Sequence, residues 1–227
     1  PEVVIHHDLL DPQISICSIN ALPLFSDNFD YESRDQFIRG VVMGQEFQIG
    51  SIYAAELPNE HYAAKVSDWM AYHNVSQDII NRLVYPLVPE MGICMLRQEY
   101  LFLKNNIYRN NVVKIGKYCN IKNDTVLQAK CEIGDKSTLS NCVLGKSCKI
   151  GKNCYIKNSY IFANTVIADN CKLINCVVGE NVKVGTGCFL TDGTVISNDC
   201  IIEGDKTMAG WIVQSYLQEQ DDYATDE

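Results

Sequence analysis

The second half of the chain carries an aliphatic residue every six positions, occasionally every five, from residue 115 to residue 202. An amphipathic helix repeats every 3.6 residues and a strand every two, so neither explains this spacing. A hexapeptide period is typical of a parallel β-helix, in which three hexapeptides form one triangular coil around inward aliphatic side chains. We therefore predict a β-helix over about residues 112–204, with just over five coils. The sixteen inward residues would be Ile115, Ile121, Leu127, Ile133, Leu139, Leu144, Ile150, Ile156, Ile161, Ile167, Leu173, Val178, Val184, Leu190, Ile196 and Ile202.

Two further positions of the repeat are restricted in residue type. Glycine often follows the aliphatic residue directly, and we predict a tight corner with a positive φ there. The residue two places before the aliphatic one, here called the corner position, is small or β-branched wherever it is not cysteine. Nine of the eleven cysteines occupy it, which indicates that cysteine fills space there as a small hydrophobic residue. These nine are Cys119, Cys131, Cys142, Cys148, Cys154, Cys171, Cys176, Cys188 and Cys200.

The first hundred residues follow a different pattern. Residues 13–19 have the composition of a short buried strand, and residues 35–43 place Phe37, Ile38, Val41 and Val42 on one helical face. Two more helices are predicted over residues 61–73 and 75–83. Mixed strands and helices of this kind favour part of an α/β domain.

Charge separates the same two regions. Residues 112–204 contain 11 lysines, no arginine and 8 acidic residues, whereas the whole chain has a net charge of −9 and a pI near 4.9. An acidic chain is not expected to bind nucleic acid directly. No apolar run reaches 18 residues, so no membrane contact is predicted. Residues 218–227 are polar and acidic, as in a disordered tail or a linker.

The chain offers little for catalysis or metal binding. It has no C-x-x-C pair and only four histidines, none of them within the cysteine-rich region, so we predict no metal and no cofactor. Free thiols are typical of a reducing compartment, which predicts a cytosolic protein. Phe29 lies within the polar run of residues 26–30, where an aromatic side chain either folds into the core or anchors a partner.

Three segments carry a resemblance to a known family. They are LFSDNFDYESRDQFIRGVV (24–42), RLVYPLVPE (82–90) and NNIYRNN (105–111), the last of which opens the hexapeptide region. In this order they resemble the epsilon subunit of eukaryotic translation initiation factor 2B.

The resemblance implies a fold and a function. The fold class would be an α/β remnant followed by an all-β region, a left-handed parallel β-helix, although the general rule favours right-handed crossovers. Residues 1–104 would be the C-terminal part of a nucleotidyltransferase-like α/β domain, residues 105–205 the left-handed β-helix, and residues 206–227 an acidic tail or linker. The partners would be sister subunits and the GTP-binding initiation factor 2. Asn28 and Phe29 match a pair that contacts this factor and supports nucleotide exchange.

Two classes of function remain open from the residues. The first is a non-enzymatic part of a guanine-nucleotide exchange factor that promotes GDP release through protein contacts. The second is a hexapeptide-repeat acyltransferase or a sugar-nucleotide pyrophosphorylase. Acyl transfer on this fold typically uses a histidine base, and nucleotidyl transfer needs a phosphate-binding loop. No histidine lies between Ile115 and Ile202 and no glycine-rich loop of that kind is present, which favours the first class, and we assign no catalytic residue.

Overall fold

The computed structural model describes residues 7–21, 23, 31–43, 52–58, 60–91 and 100–215. The chain divides into two compact units, residues 1–72 and 73–227. The predicted domain boundaries at residues 104 and 205 remain predictions.

The first unit contains helix α1, Arg34–Val42, and a 3₁₀ turn, Ile19–Ala21. Ser33 and Gln36 form a capping box at the start of α1, which satisfies backbone N–H groups that a helix leaves unpaired. The helix therefore begins within a residue of its predicted start. The strand predicted over residues 13–19 does not form, since these residues are exposed and are not part of any sheet. Ser15 instead accepts a hydrogen bond from the Arg34 side chain.

A single helix, α2, spans Trp69–Ile80 in place of the two helices predicted over residues 61–83. The Asp68 side chain accepts a hydrogen bond of 2.7 Å from the Ala71 backbone N–H, which fixes the start of α2. The helix ends before Arg82, whose φ of 66° is left-handed. The cap at Asp68, rather than the apolar spacing, decides where this helix begins. A second 3₁₀ turn, Pro89–Met91, follows.

In the described residues, twenty short strands form three sheets around one core, and strands of successive coils pair in parallel. Sheet A contains β1 (Tyr100–Leu103), β2 (Ile107–Asn110), β5 (Thr125–Leu127), β8 (Val143–Leu144), β11 (Tyr160–Ile161), β14 (Val177–Val178), β17 (Val195–Ile196) and β20 (Ile212–Val213). Sheet B contains β3 (Lys114–Ile115), β6 (Glu132–Ile133), β9 (Lys149–Ile150), β12 (Val166–Ile167), β15 (Lys183–Val184) and β18 (Ile201–Ile202). Sheet C contains β4 (Asn120–Ile121), β7 (Thr138–Ser140), β10 (Tyr155–Lys157), β13 (Lys172–Ile174), β16 (Phe189–Thr191) and β19 (Thr207–Ala209). β1 pairs antiparallel with β2 and opens the solenoid.

The predicted parallel β-helix is confirmed, and its inward residues form the main core. From Leu127 to Ile202 every aliphatic residue of the repeat is at most 5% exposed. Ile115 and Ile121 are only half-buried, because the first coil has a neighbour on one side. The solenoid has six coils rather than just over five, since Met208 and Val213 continue the inward series.

The positive φ angles lie at a different place in the repeat than expected. They occur three residues before the aliphatic one, mostly at asparagine or aspartate, as at Asn153, Asn170 and Asp199. Asparagine and aspartate tolerate this left-handed conformation better than other non-glycine residues. The glycines after the aliphatic residues are needed for another reason: a Cβ at Gly134 would lie 2.5 Å from the Gly151 carbonyl carbon in the next coil.

We expect Gly134→Ala to destabilise the protein by about 1–3 kcal/mol, because the new methyl group would push two hydrogen-bonded coils apart. The Gly134 N–H donates to the Ile150 carbonyl at 2.8 Å, so the backbone cannot move away without weakening this bond. Gly193 is the matched control, since its Cβ would meet nothing within 4 Å. Its φ of 81° suits asparagine, so Gly193→Asn should change the denaturation midpoint little. Equal losses in the two variants would show that close approach is not the cause.

The corner cysteines are hydrogen-bond donors as well as small residues. The Cys171 thiol donates to the Gly185 carbonyl at 3.1 Å, and the Thr165 hydroxyl donates to the equivalent Gly179 carbonyl at 2.7 Å. Ser137 makes the same contact with the Gly151 carbonyl at 2.8 Å. The corner position therefore selects small side chains that can satisfy a backbone carbonyl of the next coil.

All ten cysteines in the described part of the chain are free thiols, as predicted. Cys17 is exposed, whereas eight of the corner cysteines are buried. Burial raises the pKa of Cys142 to about 12 and that of Cys176 to about 11, so both stay protonated at neutral pH.

We expect a thiol reagent to modify Cys17 rapidly in the native protein and the buried cysteines only on unfolding. Titration of the unfolded, non-reduced chain should recover essentially all eleven thiols. Recovery of nine or fewer would indicate a disulfide and would contradict the prediction of free thiols.

Candidate interaction surface

The outer faces of sheets B and C carry mixed polar, charged and isolated apolar side chains. On sheet B, Glu132 lies between Lys114 at 2.8 Å and Lys149 at 3.9 Å. On sheet C, the Lys172 ammonium lies 4.8 Å from the Phe189 ring centroid and 5.9 Å from that of Tyr155. These exposed pairs are each weak.

Sheet A differs because every outward residue in one row across it is apolar or aromatic. The row, here called the sheet A row, follows the strand pairing and consists of Tyr108, Val126, Val143, Tyr160, Val177, Val195 and Ile212. Each residue precedes an inward one or stands in register with such a residue, so its side chain points away from the solenoid core. One face of the β-helix is therefore built to be covered.

Helix α2 covers the first part of the sheet A row. Ile80, at the end of α2, is 3% exposed and packs with Tyr108 and Val126 in a second, smaller apolar cluster. The Tyr108 hydroxyl donates to the Ile80 carbonyl at 2.8 Å. Three strands further along, His73 Nδ1 lies 2.8 Å from the Tyr160 hydroxyl. The helix thus runs along the row instead of across it.

Electrostatics agree with a water-excluded contact at this end. Burial raises the pKa of Tyr100, which packs against the same cluster, to about 12. Burial is also the largest cause of the raised pKa of Tyr108. Both phenols remain neutral at physiological pH, so the interface carries no buried phenolate.

The remaining members of the sheet A row are more exposed to solvent. Val177 and Val195 are half-buried, and Ile212 is 72% exposed. Trp211, at the neighbouring corner position, is 60% exposed because an indole is too large for a position that holds cysteine, serine, threonine or valine from Val113 to Cys200. We call these four residues the distal strip.

Metal-ligating side chains do not come together in the described part of the chain. No group of three or more histidine, cysteine, aspartate or glutamate side chains there could hold a metal ion. His73 is engaged with Tyr160, and no histidine occurs within residues 105–205. No helix among the described residues is long and apolar enough to cross a membrane.

Asn28 and Phe29, the predicted partner-binding pair, lie outside the described residues. The helix that follows the pair in the sequence is α1. In this helix Phe37, Ile38 and Val41 are half-buried and share one face, while Val42 is 68% exposed. The Phe37 ring meets Tyr31 edge-on, with a centroid distance of 5.7 Å. The predicted role of the pair stays a prediction.

Sequence reasoning missed the sheet A row. Its signal was present, because valine, tyrosine or isoleucine precedes the inward residue at every third step from Val126 to Ile212. The six-residue period hides this pattern, which recurs every 17 or 18 residues, unless the steps are sorted by sheet.

Comparison with known proteins supports the resemblance found in the sequence. Residues 104–208 match the family model of the EIF2B subunit epsilon LbH domain, that is, a left-handed β-helix domain. A curated relative named translation initiation factor eIF2B subunit epsilon, from Schizosaccharomyces pombe, is 34% identical over 135 residues, which is 59% of this chain and 19% of the relative. The protein of the same name from Dictyostelium discoideum is 37% identical over 128 residues, 56% of this chain and 18% of the relative. The chain thus spans about a fifth of the length of these relatives.

The likeness to two solved structures is distant. The acetyltransferase domain of PglB from Neisseria gonorrhoeae is 14% identical, with a TM-score of 0.30 over 45% of this chain and 49% of that one. Its complex with acetyl coenzyme A gives 18% identity and a TM-score of 0.32, over 46% of this chain and 54% of that one. Likeness at this level carries no functional argument.

Proposed function

We propose that the chain is part of a guanine-nucleotide exchange factor of translation initiation, because residues 104–208 match the family model of the EIF2B subunit epsilon LbH domain. The sequence match to two eIF2B epsilon subunits from distant eukaryotes is the observation that carries the proposal. The proposed action is to promote GDP release from the GTP-binding initiation factor 2. The proposed setting is the cytosol, within a complex of sister subunits.

The proposed mechanism is differential binding. Exchange requires only that the factor bind its GTP-binding partner more tightly in the conformation with weakened nucleotide affinity, which shifts the population toward GDP release. No bond in a substrate needs to break, so no general acid or base is required. The absence of histidine from residues 105–205 agrees with this mechanism.

Within this mechanism the β-helix would act as a rigid support. Its backbone hydrogen bonds and inward residues repeat from coil to coil, which holds the outer faces in fixed register. A rigid support positions partners at a low entropic cost. We propose that sister subunits occupy some of these faces and that residues 1–104 carry the contact with initiation factor 2.

GDP release by the assembled exchange factor tests the proposed function. The natural protein that carries this chain would be purified with its sister subunits and mixed with initiation factor 2 loaded with fluorescent GDP. We expect release to accelerate in proportion to the concentration of the complex. A complex that binds initiation factor 2 without changing release, or a subunit that remains monomeric beside its sister subunits, would overturn the proposal.

A further inference from the structure

We propose that the distal strip is a docking surface for a basic amphipathic helix of a partner protein. The strip consists of Val177, Val195, Ile212 and Trp211, as defined above. This inference goes beyond the exchange function and does not depend on it.

Continuity with the α2 interface points to a helix as the occupant. Val177 pairs in register with Val195, and Val195 with Ile212, so the strip continues the same row that α2 covers from Tyr108 to Tyr160. Three strands at about 4.8 Å spacing give a strip of roughly 10 Å, the length of about two helical turns. A second helix laid on the strip would extend the cover that α2 begins.

Charge around the strip defines the chemistry of that helix. Residues 158–215 contain six acidic residues and three lysines, whereas residues 112–157 contain nine lysines and three acidic residues. Three acidic residues are exposed in the turns on either side of the strip, namely Glu180, Asp192 and Asp199. None of these three carboxylates forms an ion pair with another described residue. A helix with lysine or arginine beside its apolar face would therefore fit the strip.

The same charges disfavour two other occupants. Residues 216–227 carry five acidic residues and no basic one, so this segment would be repelled by the three carboxylates. A second copy that paired strip to strip would bring the same three carboxylates of each protomer together. A basic helix from a different protein avoids both conflicts.

A designed peptide pair tests the surface without knowledge of the natural partner. The probe is a synthetic helix of about 18 residues with leucine on one face and lysine on its flanks, and its counterpart carries glutamate in place of lysine. The chain has two tryptophans, so Trp69→Phe leaves Trp211 as the only indole reporter within the strip. We expect the lysine peptide to shift Trp211 emission to shorter wavelength with a saturable dependence, and the glutamate peptide to have no effect.

Matched variants distinguish peptide binding at the strip from non-specific binding elsewhere on the surface. Val195→Lys places a charge in the strip and should lower the affinity for the lysine peptide by roughly tenfold or more. Val166→Lys makes the same change on the outer face of sheet B, where Val166 is 37% exposed, and should change the affinity less than about twofold. Glu180→Lys combined with Asp199→Lys keeps the apolar strip intact and should reverse the preference toward the glutamate peptide.

Four results would overturn the proposal. Equal losses in Val195→Lys and Val166→Lys would show that the peptide does not use the strip, provided both variants unfold at the wild-type temperature. Equal binding of both peptides would remove the charge argument. Self-association that Val195→Lys abolishes would identify a second copy as the occupant. A shift of Trp211 emission to shorter wavelength when a synthetic peptide of residues 216–227 is added without the lysine peptide would instead identify the chain's own C-terminal segment.

Discussion

Leu173→Ala should destabilise the second unit by about 2–5 kcal/mol, a large share of the stability of an ordinary domain. Leu173 is fully buried and stands in register between Ile156 and Leu190 of the neighbouring coils. Removal of its side chain leaves a cavity whose walls are held by backbone hydrogen bonds on both sides. Because the coils cannot close over this cavity, we expect a cost toward the upper end of the range.

Lys172→Ala is the matched control, since Lys172 is the outward neighbour of Leu173 on the same strand. Its ammonium lies between two aromatic rings on the exposed face, so its loss should cost less than about 1 kcal/mol. Urea denaturation followed by far-ultraviolet circular dichroism would compare the two variants. Similar losses would show that the inward register of sheet C is assigned wrongly.

The β-helix could be predicted from the sequence because one physical constraint repeats at every step. Each inward residue sees the same surroundings as its counterpart a coil away, so a sixteen-membered series has little room for another fold. The end of the solenoid was harder to predict. Lys206 and Trp211 replace the small corner residue, and Met208 replaces the aliphatic one, yet the last coil still forms through backbone pairing.

The described residues before the solenoid were harder to predict because their elements depend on local caps and on distant contacts. Apolar spacing suggested two helices over residues 61–83, but the Asp68 cap and a left-handed Arg82 define one. The QISICSI segment has strand-forming residues and no strand partner among the described residues, and propensity alone does not form a strand. The glycines of the repeat show the same limit: the sequence locates them, whereas the distance to the next coil explains them.

The candidate interaction residues also differ in how far the sequence could predict them. The resemblance pointed to Asn28 and Phe29 through a motif, with no physical pattern that would have selected them over other loop residues. The sheet A row, in contrast, follows from the repeat once each step is assigned to a sheet, but its exposure depends on where α2 ends its cover. Burial of this kind is a tertiary property that a period in the sequence does not contain.

Phe29→Ala should slow the release of GDP from initiation factor 2 by roughly tenfold and leave the melting temperature nearly unchanged. The prediction rests on the proposed role of Phe29 as an anchor, because a hot-spot aromatic typically contributes more than about 1–2 kcal/mol to binding. Asn28→Ala should act in the same direction, since its amide can both donate and accept hydrogen bonds. Phe37→Ala is the matched control: Phe37 packs on Tyr31 within the first unit, so its loss should lower stability and leave exchange by the folded fraction intact.

If Phe29 were a core residue instead, its removal would cost about 3–5 kcal/mol, and the fall in exchange would follow unfolding. An unchanged release rate in the assembled complex, or a loss that unfolding explains wholly, would discard the assignment.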